Sequence, residues 1–421
     1  MSLSHTHRTI DAIWRMESAK LIAGLTRMVR DVGLAEDLAQ DALVIALDRW
    51  PKAGIPDNPG AWLMTTAKRR AIDLMRRTKL RDQKYVEIAH NMNLYTEEDI
   101  DHALDGEIGD DLLRLIFMTC HPVLSRDGRV ALTLRLLCGL TTDEIASSFL
   151  VAESTIAQRI VRAKKTLSAE KVLFEVPAGE ELKERLSAVL EVIYLMFNEG
   201  YSATSGDHWI RPLLCQEALR LGRILAEIAL HEPEVHGLVA LMEIQSSRFK
   251  TRVDSRGEPV LLMDQNRAKW DQLLIRRGLA ALERSRKLGR TLGPYSLQAA
   301  ISACHAQAPT AIETDWTRIA ALYEALSRVA PSPIVELNRA VAISMAFGPA
   351  FGLQIVDELN AEPSLKGYHL LPSVRGDLLA KLGQYDEARA EFERAASMTR
   401  NERERVLLLN RASECESGKL N

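Results

Sequence analysis

Glu153, Ser154, Thr155, Gln158, Arg159, Arg162 and Lys165 combine short polar side chains with cations at helical spacing. Hydroxyl and amide groups of this kind match base edges in a major groove, while guanidinium and ammonium groups neutralise phosphates. A second set lies upstream, where Asn58 and Trp62 precede Lys68, Arg69, Arg70, Arg76 and Arg77. From Ala61 to Lys84 eight basic residues stand against only Asp73 and Asp82. Cations beside a Pro- and Gly-containing loop suit single-stranded DNA, whose backbone needs neutralising and whose unstacked bases need a pocket. A third set has the opposite sign: Glu36, Asp37, Gln40, Asp41 and Asp48 form a polar, acidic helix face, which either docks a basic protein surface or is simply solvated.

The elements that must carry these groups follow from local pattern. Thr141 to Lys165, TTDEIASSFLVAESTIAQRIVRAKK, fits a helix-turn-helix. Thr141 and Glu144 have capping-box spacing, Ala146 takes the small-residue slot between the helices, and Ile145, Phe149, Ile156 and Ile160 supply apolar contacts. Leu150 stands where a turn glycine is usual. The alternative for this segment is an ordinary helical hairpin with a solvated basic face. In 35–50, Leu38, Ala42, Ile45 and Ala46 share one side, opposite the acidic face. The loop PKAGIPDNPG (51–60) follows, then a helix opened by Trp62 and Leu63 whose buried side continues through Ile72 and Leu74. Trp62 is either a core aromatic or a stacking platform. Asp127-Gly128-Arg129 reads as a helix-connecting turn or as a turn that contacts the remainder of the chain.

In order and spacing, AEDLAQDALVIALDRW, the loop and AWLMTTAKRRAIDLMRR resemble region two of the extracytoplasmic-function sigma factors, and the helix-turn-helix resembles their region four. That resemblance implies that Asp37, Gln40 and Asp41 contact the clamp helices of core bacterial RNA polymerase. It implies that the loop near 52–58 captures a base flipped from the minus-ten promoter element, with Asn58, Trp62 and the five basic residues around it. Such factors typically carry Asn where this chain has Arg69. The second helix, through Glu153, Ser154, Thr155, Gln158, Arg159, Arg162 and Lys165, would then read the minus-thirty-five element. Residues 96–111 hold eight acidic residues and no Lys or Arg. They read as a self-repelling connector, which in the family threads the polymerase cleft, or as a plain tether. The expected organisation is region two over 1–80, an acidic linker over 81–111 and region four over 112–173.

The 421 residues, 47% hydrophobic and 26% charged, are enough for two or three cores, and the net charge of −3 hides segregation into basic and acidic segments. Cys120, Cys138, Cys215, Cys304 and Cys415 lack paired metal-ligand spacing and read as reduced, buried thiols. Neither a metal nor a cofactor is expected. A polar N-terminus and no apolar run of about 18 residues point to a cytoplasmic protein without a membrane span.

Residues 180–421 read as successive amphipathic helices punctuated by Pro212, Pro233, Pro259, Pro294, Pro309, Pro331, Pro349 and Pro363. The chain is therefore expected to be all-α. In LLPSVRGDLLAKLGQYDEARAEFERAASM, Gly376, Gly383, Tyr385, Ala388, Phe392 and Ala395 occupy tetratricopeptide positions. LMFNEGY, DQNRAKWD, GPYSLQAAISACHA and PSPIVELNRAVA resemble the C-terminal extension of one sigma-factor subgroup, which implies control of activity by the chain itself. Contact of the extension with regions two and four is then an expectation. Glu199, Tyr201, Asp264, Arg267 and Asp271 either line a ligand groove or lock helix packing.

No phosphate loop, metal-ligand pair or nucleophile elbow suggests an enzyme. The rival to a promoter-recognition subunit is a duplex-binding regulator with a helical-repeat sensor. An acidic docking helix followed by a basic helix beside a loop separates the two, because a regulator needs neither.

Overall fold

Caps and prolines set the element boundaries in the computed structural model, which describes residues 3–83, 108–149, 151–177, 179–203, 205–206, 209–255 and 257–416. These divide into two units, Met1–Val192 and Ile193–Asn421. Both are helical; the only pairing of strands among the described residues is two residues long, between β1 (Ser205–Gly206) and β2 (Arg400–Asn401).

The first unit holds α1 (Leu3–Val29), α2 (Val32–Ala53), α3 (Pro59–Gln83), α4 (Ile108–Thr119), α5 (Arg126–Leu136), α6 (Thr142–Phe149) and α7 (Glu153–Ala169). Asp31 caps α2, accepting a bond from the Leu34 amide at 2.8 Å. The helix runs on through Pro51, so the expected ten-residue loop is cut to 54–58: α2 ends at Gly54, φ +89°, and Pro59 opens α3. Leu63, Ala67 and Ala71 bury the inner stripe of α3, whereas Leu74, expected inside, is exposed. The helix α4 begins within the stretch expected to be linker and packs on α1. Its Asp111 is buried, 3.3 Å from Arg27 of α1 and 2.8 Å from Arg114. The other acidic residues expected in the connector from Glu97 to Glu107 lie outside the described residues, as does Leu150.

The boundary between the units falls within α8 (Gly179–Tyr201). The second unit continues with α9 (Pro212–Ile228), α10 (Pro233–Ser246), α11 (Gln272–Leu288), α12 (Pro294–Gln307), α13 (Trp316–Val329), α14 (Pro333–Phe347), α15 (Pro349–Leu359), α16 (Leu370–Lys381), α17 (Tyr385–Met398) and α18 (Glu402–Glu416). Proline stands in the first turn of α9, α10, α12, α14 and α15, where its missing N–H costs nothing. From α10 onward most helices pack on their sequence neighbours, the one-dimensional contact pattern of a solenoid.

The α16–α17 hairpin has the packing its repeat-like sequence implies. Phe392, Ala388 and Ala395 are fully buried, and a Cβ at Gly376 would stand 3.0 Å from the Phe392 ring, so glycine lets the helices meet here without displacing that ring. Gly383 makes the turn at φ +77°. Arg411 of α18 covers Phe392, its guanidinium 4.5 Å from the ring centroid. Phe392→Ala is expected to destabilise this unit by about 3–5 kcal/mol through the cavity it leaves, measured by denaturant unfolding.

Candidate nucleic-acid interface

The helix-turn-helix forms as its capping box requires. The Glu144 amide donates to Thr141 Oγ1 at 3.1 Å, and the Thr141 amide donates to Glu144 Oε2 at 2.9 Å. Ile145, Ala146, Ile156 and Ile160 are buried and Phe149 half-buried, leaving Glu153, Ser154, Gln158, Arg162 and Lys165 exposed along α7. Thr155 and Arg159 are half-buried. Asp127, Gly128 and Arg129, expected to form a connecting turn, instead lie in the first turn of α5 behind the Ser125 cap, and Asp127 engages Arg159 of α7 at 2.8 Å. Arg129 of α5 pairs with Glu191 at 3.5 Å.

On α2, Asp37 is exposed and Gln40 and Asp41 are half-exposed, but Glu36 departs from the expected solvated face: its side chain is only 4% exposed. The reason lies outside its own helix. Arg135 of α5 donates through Nε to Glu36 Oε1 at 2.7 Å, Lys164 of α7 pairs with Oε2, and Gln40 donates to Oε1 at 2.6 Å. Two cations compensate a carboxylate that could not otherwise be buried. A second pair, Arg15 of α1 with Glu144, and a glycine contact reinforce the junction. Gly139 has φ +66°, and a Cβ there would stand 2.8 Å from Ser18 Oγ of α1. The helix-turn-helix therefore packs directly on α1 and α2.

On α3, Arg69 and Arg76 are exposed and Lys68 half-buried; the side chain of Arg77 lies outside the described residues. Arg70 reaches back to α2, its Nε donating to Asp41 Oδ2 at 2.9 Å, so a residue expected at promoter DNA and one expected at the polymerase are paired with each other. Asn58 accepts a bond from the Ala61 amide at 3.0 Å and so caps α3. Trp62 is half-buried, packing edge-on to the buried Trp50 with ring centroids 5.3 Å apart. Sequence reasoning missed Arg135 and Lys164. One signal was available for Lys164, which follows Ile160 by four residues and so borders the buried stripe of α7.

In the second unit, Asp271 caps α11 through the Leu273 and Leu274 amides, and Glu199 pairs with Arg211. Arg267 donates to the His305 and Ala308 carbonyls and to Thr314 Oγ1. These three lock packing, Asp264 is exposed, and Tyr201 stacks on Phe197.

Residues 14–81 match the profile of sigma-70 region 2, and residues 114–167 that of sigma-70 region 4. The chain belongs to the extracytoplasmic-function sigma factors. Residues 185–286 match a family of unknown function, DUF6596, so this member carries a long C-terminal extension. An uncharacterized protein of Rhizobium meliloti (strain 1021), R00370, is 41% identical over 385 residues, covering 90% of this chain and 89% of that protein. A probable ECF RNA polymerase sigma factor of Mycobacterium tuberculosis, SigI, is 30% identical over 176 residues, 41% of this chain and 59% of its own length. The ECF RNA polymerase sigma factor SigK of Mycobacterium sp. (strain KMS) is 29% identical over 153 residues, 35% of this chain and 76% of its own. Each of these two mycobacterial matches spans less than half of this chain. No helix among its described residues is long and apolar enough to cross a membrane.

The junction and α7 can each be tested by substitution. Glu36→Ala strands Arg135 and Lys164 and is expected to cost about 3 kcal/mol in the unfolding of the first unit, followed by tryptophan fluorescence. Replacing Arg159 and Arg162 with Ala should flatten the salt dependence of upstream-element binding by about 0.9 in log–log slope for each phosphate that is no longer neutralised.

Proposed function

We propose that this sigma factor works in the bacterial cytoplasm as a dissociable promoter-specificity subunit of RNA polymerase, held in a closed resting form by its own charges and tuned by its C-terminal helical extension. The observation that carries the reading is the combination, in one unit, of a carboxylate-bearing α2, a basic α3 behind a short loop and an α7 with exposed polar and basic side chains. A duplex-binding regulator needs only the last of these.

In this reading Asp37, Gln40 and Asp41 contact core polymerase. Asn58, Trp62, Lys68, Arg69, Arg70, Arg76 and Arg77 hold the melted minus-ten strand, with a cap at the base of the loop and an aromatic behind it. Glu153, Ser154, Thr155, Gln158, Arg159, Arg162 and Lys165 face the minus-thirty-five major groove. The chain contributes binding and strand separation, and the chemistry of RNA synthesis belongs to core polymerase.

The closed form follows from what cations of α3 and α7 already hold. Lys164 is committed to Glu36, Arg159 to Asp127 and Arg70 to Asp41. Polymerase and promoter then have to exchange internal carboxylates for external partners. The exposed Arg70–Asp41 pair costs little to break, within about 1 kcal/mol, whereas the buried Glu36 group costs several times more. The proposed domain limits are those read from the sequence, with region four extended upstream to α4.

Run-off transcription by core bacterial polymerase on a library of the organism's upstream DNA tests the reading. Full-length protein should start transcripts that core alone does not. Asp37→Lys, an exposed position, should weaken core binding at least about tenfold, roughly 1.4 kcal/mol, with the fold intact. Duplex binding without core binding or initiation would overturn the reading.

A further inference from the structure

The connection between α10 and α11, residues 247–271, is unusually long for a helical repeat, and its ends are tied together by the Asp271 amide donating to the Ser247 carbonyl at 2.9 Å. It carries short 3-10 turns at Phe249–Thr251, Leu262–Asp264 and Arg267–Lys269. Three arginines converge around it. Arg248 and Arg267 each place the guanidinium carbon 5.3 Å from the Trp270 ring centroid, and Arg252 stands 3.7 Å over the Tyr201 ring. Arg252 and Arg267 are each only 7% exposed, and Arg248 is half-buried.

Their bonding leaves positive charge uncompensated. Among the described residues none of the three forms an ion pair with a carboxylate. Arg252 donates to the Tyr201 carbonyl at 2.8 Å, and Arg248 donates through Nε to Gln265 Oε1 at 3.0 Å. Glu313 acts on Arg267 only from beyond ion-pair distance, and its carboxylate takes the Thr310 hydroxyl. Burial and the neighbouring charges of Arg252 and Arg267 lower the pKa of Arg248, and burial with Arg248 and Arg267 pushes His305 down to about 3. The neighbourhood also contains buried donors with no protein partner: Arg252 Nε, Arg267 Nε and the indole Nε1 of Trp270. The Tyr201 hydroxyl and His305 Nδ1 are unpartnered too. Buried cations without counter-charge and buried donors without acceptors are each costly, and together they ask for the same occupant.

We propose that Arg248, Arg252 and Trp270 line a binding site in the extension for a small phosphate-type oxyanion. The donor set decides the class: guanidinium and indole N–H groups only donate, so the ligand presents acceptors and negative charge, and the several oxygens of a phosphate can meet donors on separate side chains. Guanidinium groups match phosphate geometry, and the Trp270 and Tyr201 rings already hold these guanidinium groups in place.

This site is independent of promoter recognition, and binding alone tests it. Thermal melts and calorimetric titration of the full chain should show saturable stabilisation by inorganic phosphate, of a few degrees, that acetate and sodium chloride at matched ionic strength do not give. Phenyl phosphate binding more tightly than inorganic phosphate would identify an ester as the ligand class, and equal binding would identify the free ion; either supports the site. Arg248→Gln should weaken phosphate at least about tenfold while leaving the unliganded melting temperature unchanged or higher, since it removes an uncompensated charge. Arg276→Gln, at an exposed position on α11, should leave binding unaltered. No saturable phosphate effect would overturn the proposal. So would an Arg248→Gln variant that melts lower without ligand yet binds phosphate as before, because that marks a purely structural arginine.

Discussion

One buried carboxylate on α2 holds the helix-turn-helix against the helices that precede it. Glu36 sits on α2 one residue before Asp37, and its two oxygens are taken by Arg135 and Lys164 from the helix-turn-helix. A carboxylate at 4% exposure is costly unless its cations stay in place, so the burial of Glu36 and the packing of α5 and α7 on α2 are a single constraint. Arg15–Glu144, Arg27–Asp111 and the close approach at Gly139 repeat the theme around α1.

Charge is thus used twice. The cations that suit α7 and α3 to nucleic acid are partly held by internal acids, and those acids lie on or beside the surface expected to meet the polymerase. In the proposed function such pairing would limit indiscriminate phosphate binding, because a phosphate has to displace a carboxylate already in position. The two kinds of pair differ in exposure: Arg70–Asp41 is half-exposed, whereas Glu36 is buried. The extension follows another logic, with apolar helix pairs stacked in sequence order and an arginine-rich crossing between α10 and α11 where the repeat pattern is interrupted.

Where a residue's role depends on its own helix, it is legible in the sequence. The capping box at Thr141, the buried Ile156 and Ile160, and the Gly376–Phe392 contact all follow from spacing alone, since caps and periodic stripes are local. Glu36 escapes such a reading because a helix wheel shows polarity and not the partner that arrives from 99 residues away. Leu74 looks internal by periodicity, yet the apolar stripe of α3 runs past its last packing neighbour. The loop at 51–60 is shorter than its composition suggests because Pro51 signals an end to a helix that continues one more turn. Arg248 and Arg252 give no sequence signal, being two arginines in an irregular stretch whose convergence on Trp270 and Tyr201 is purely tertiary.

The central claim is that the Glu36 clasp closes the first unit and that polymerase and promoter open it. Fluorescence energy transfer between labels on cysteines introduced at the exposed Asp48 of α2 and Ser168 of α7 measures this directly, because the five native thiols are buried. The account predicts high transfer in the free protein and a large fall in the complex with core polymerase and promoter DNA. Transfer that stays high in a complex competent for initiation would contradict it.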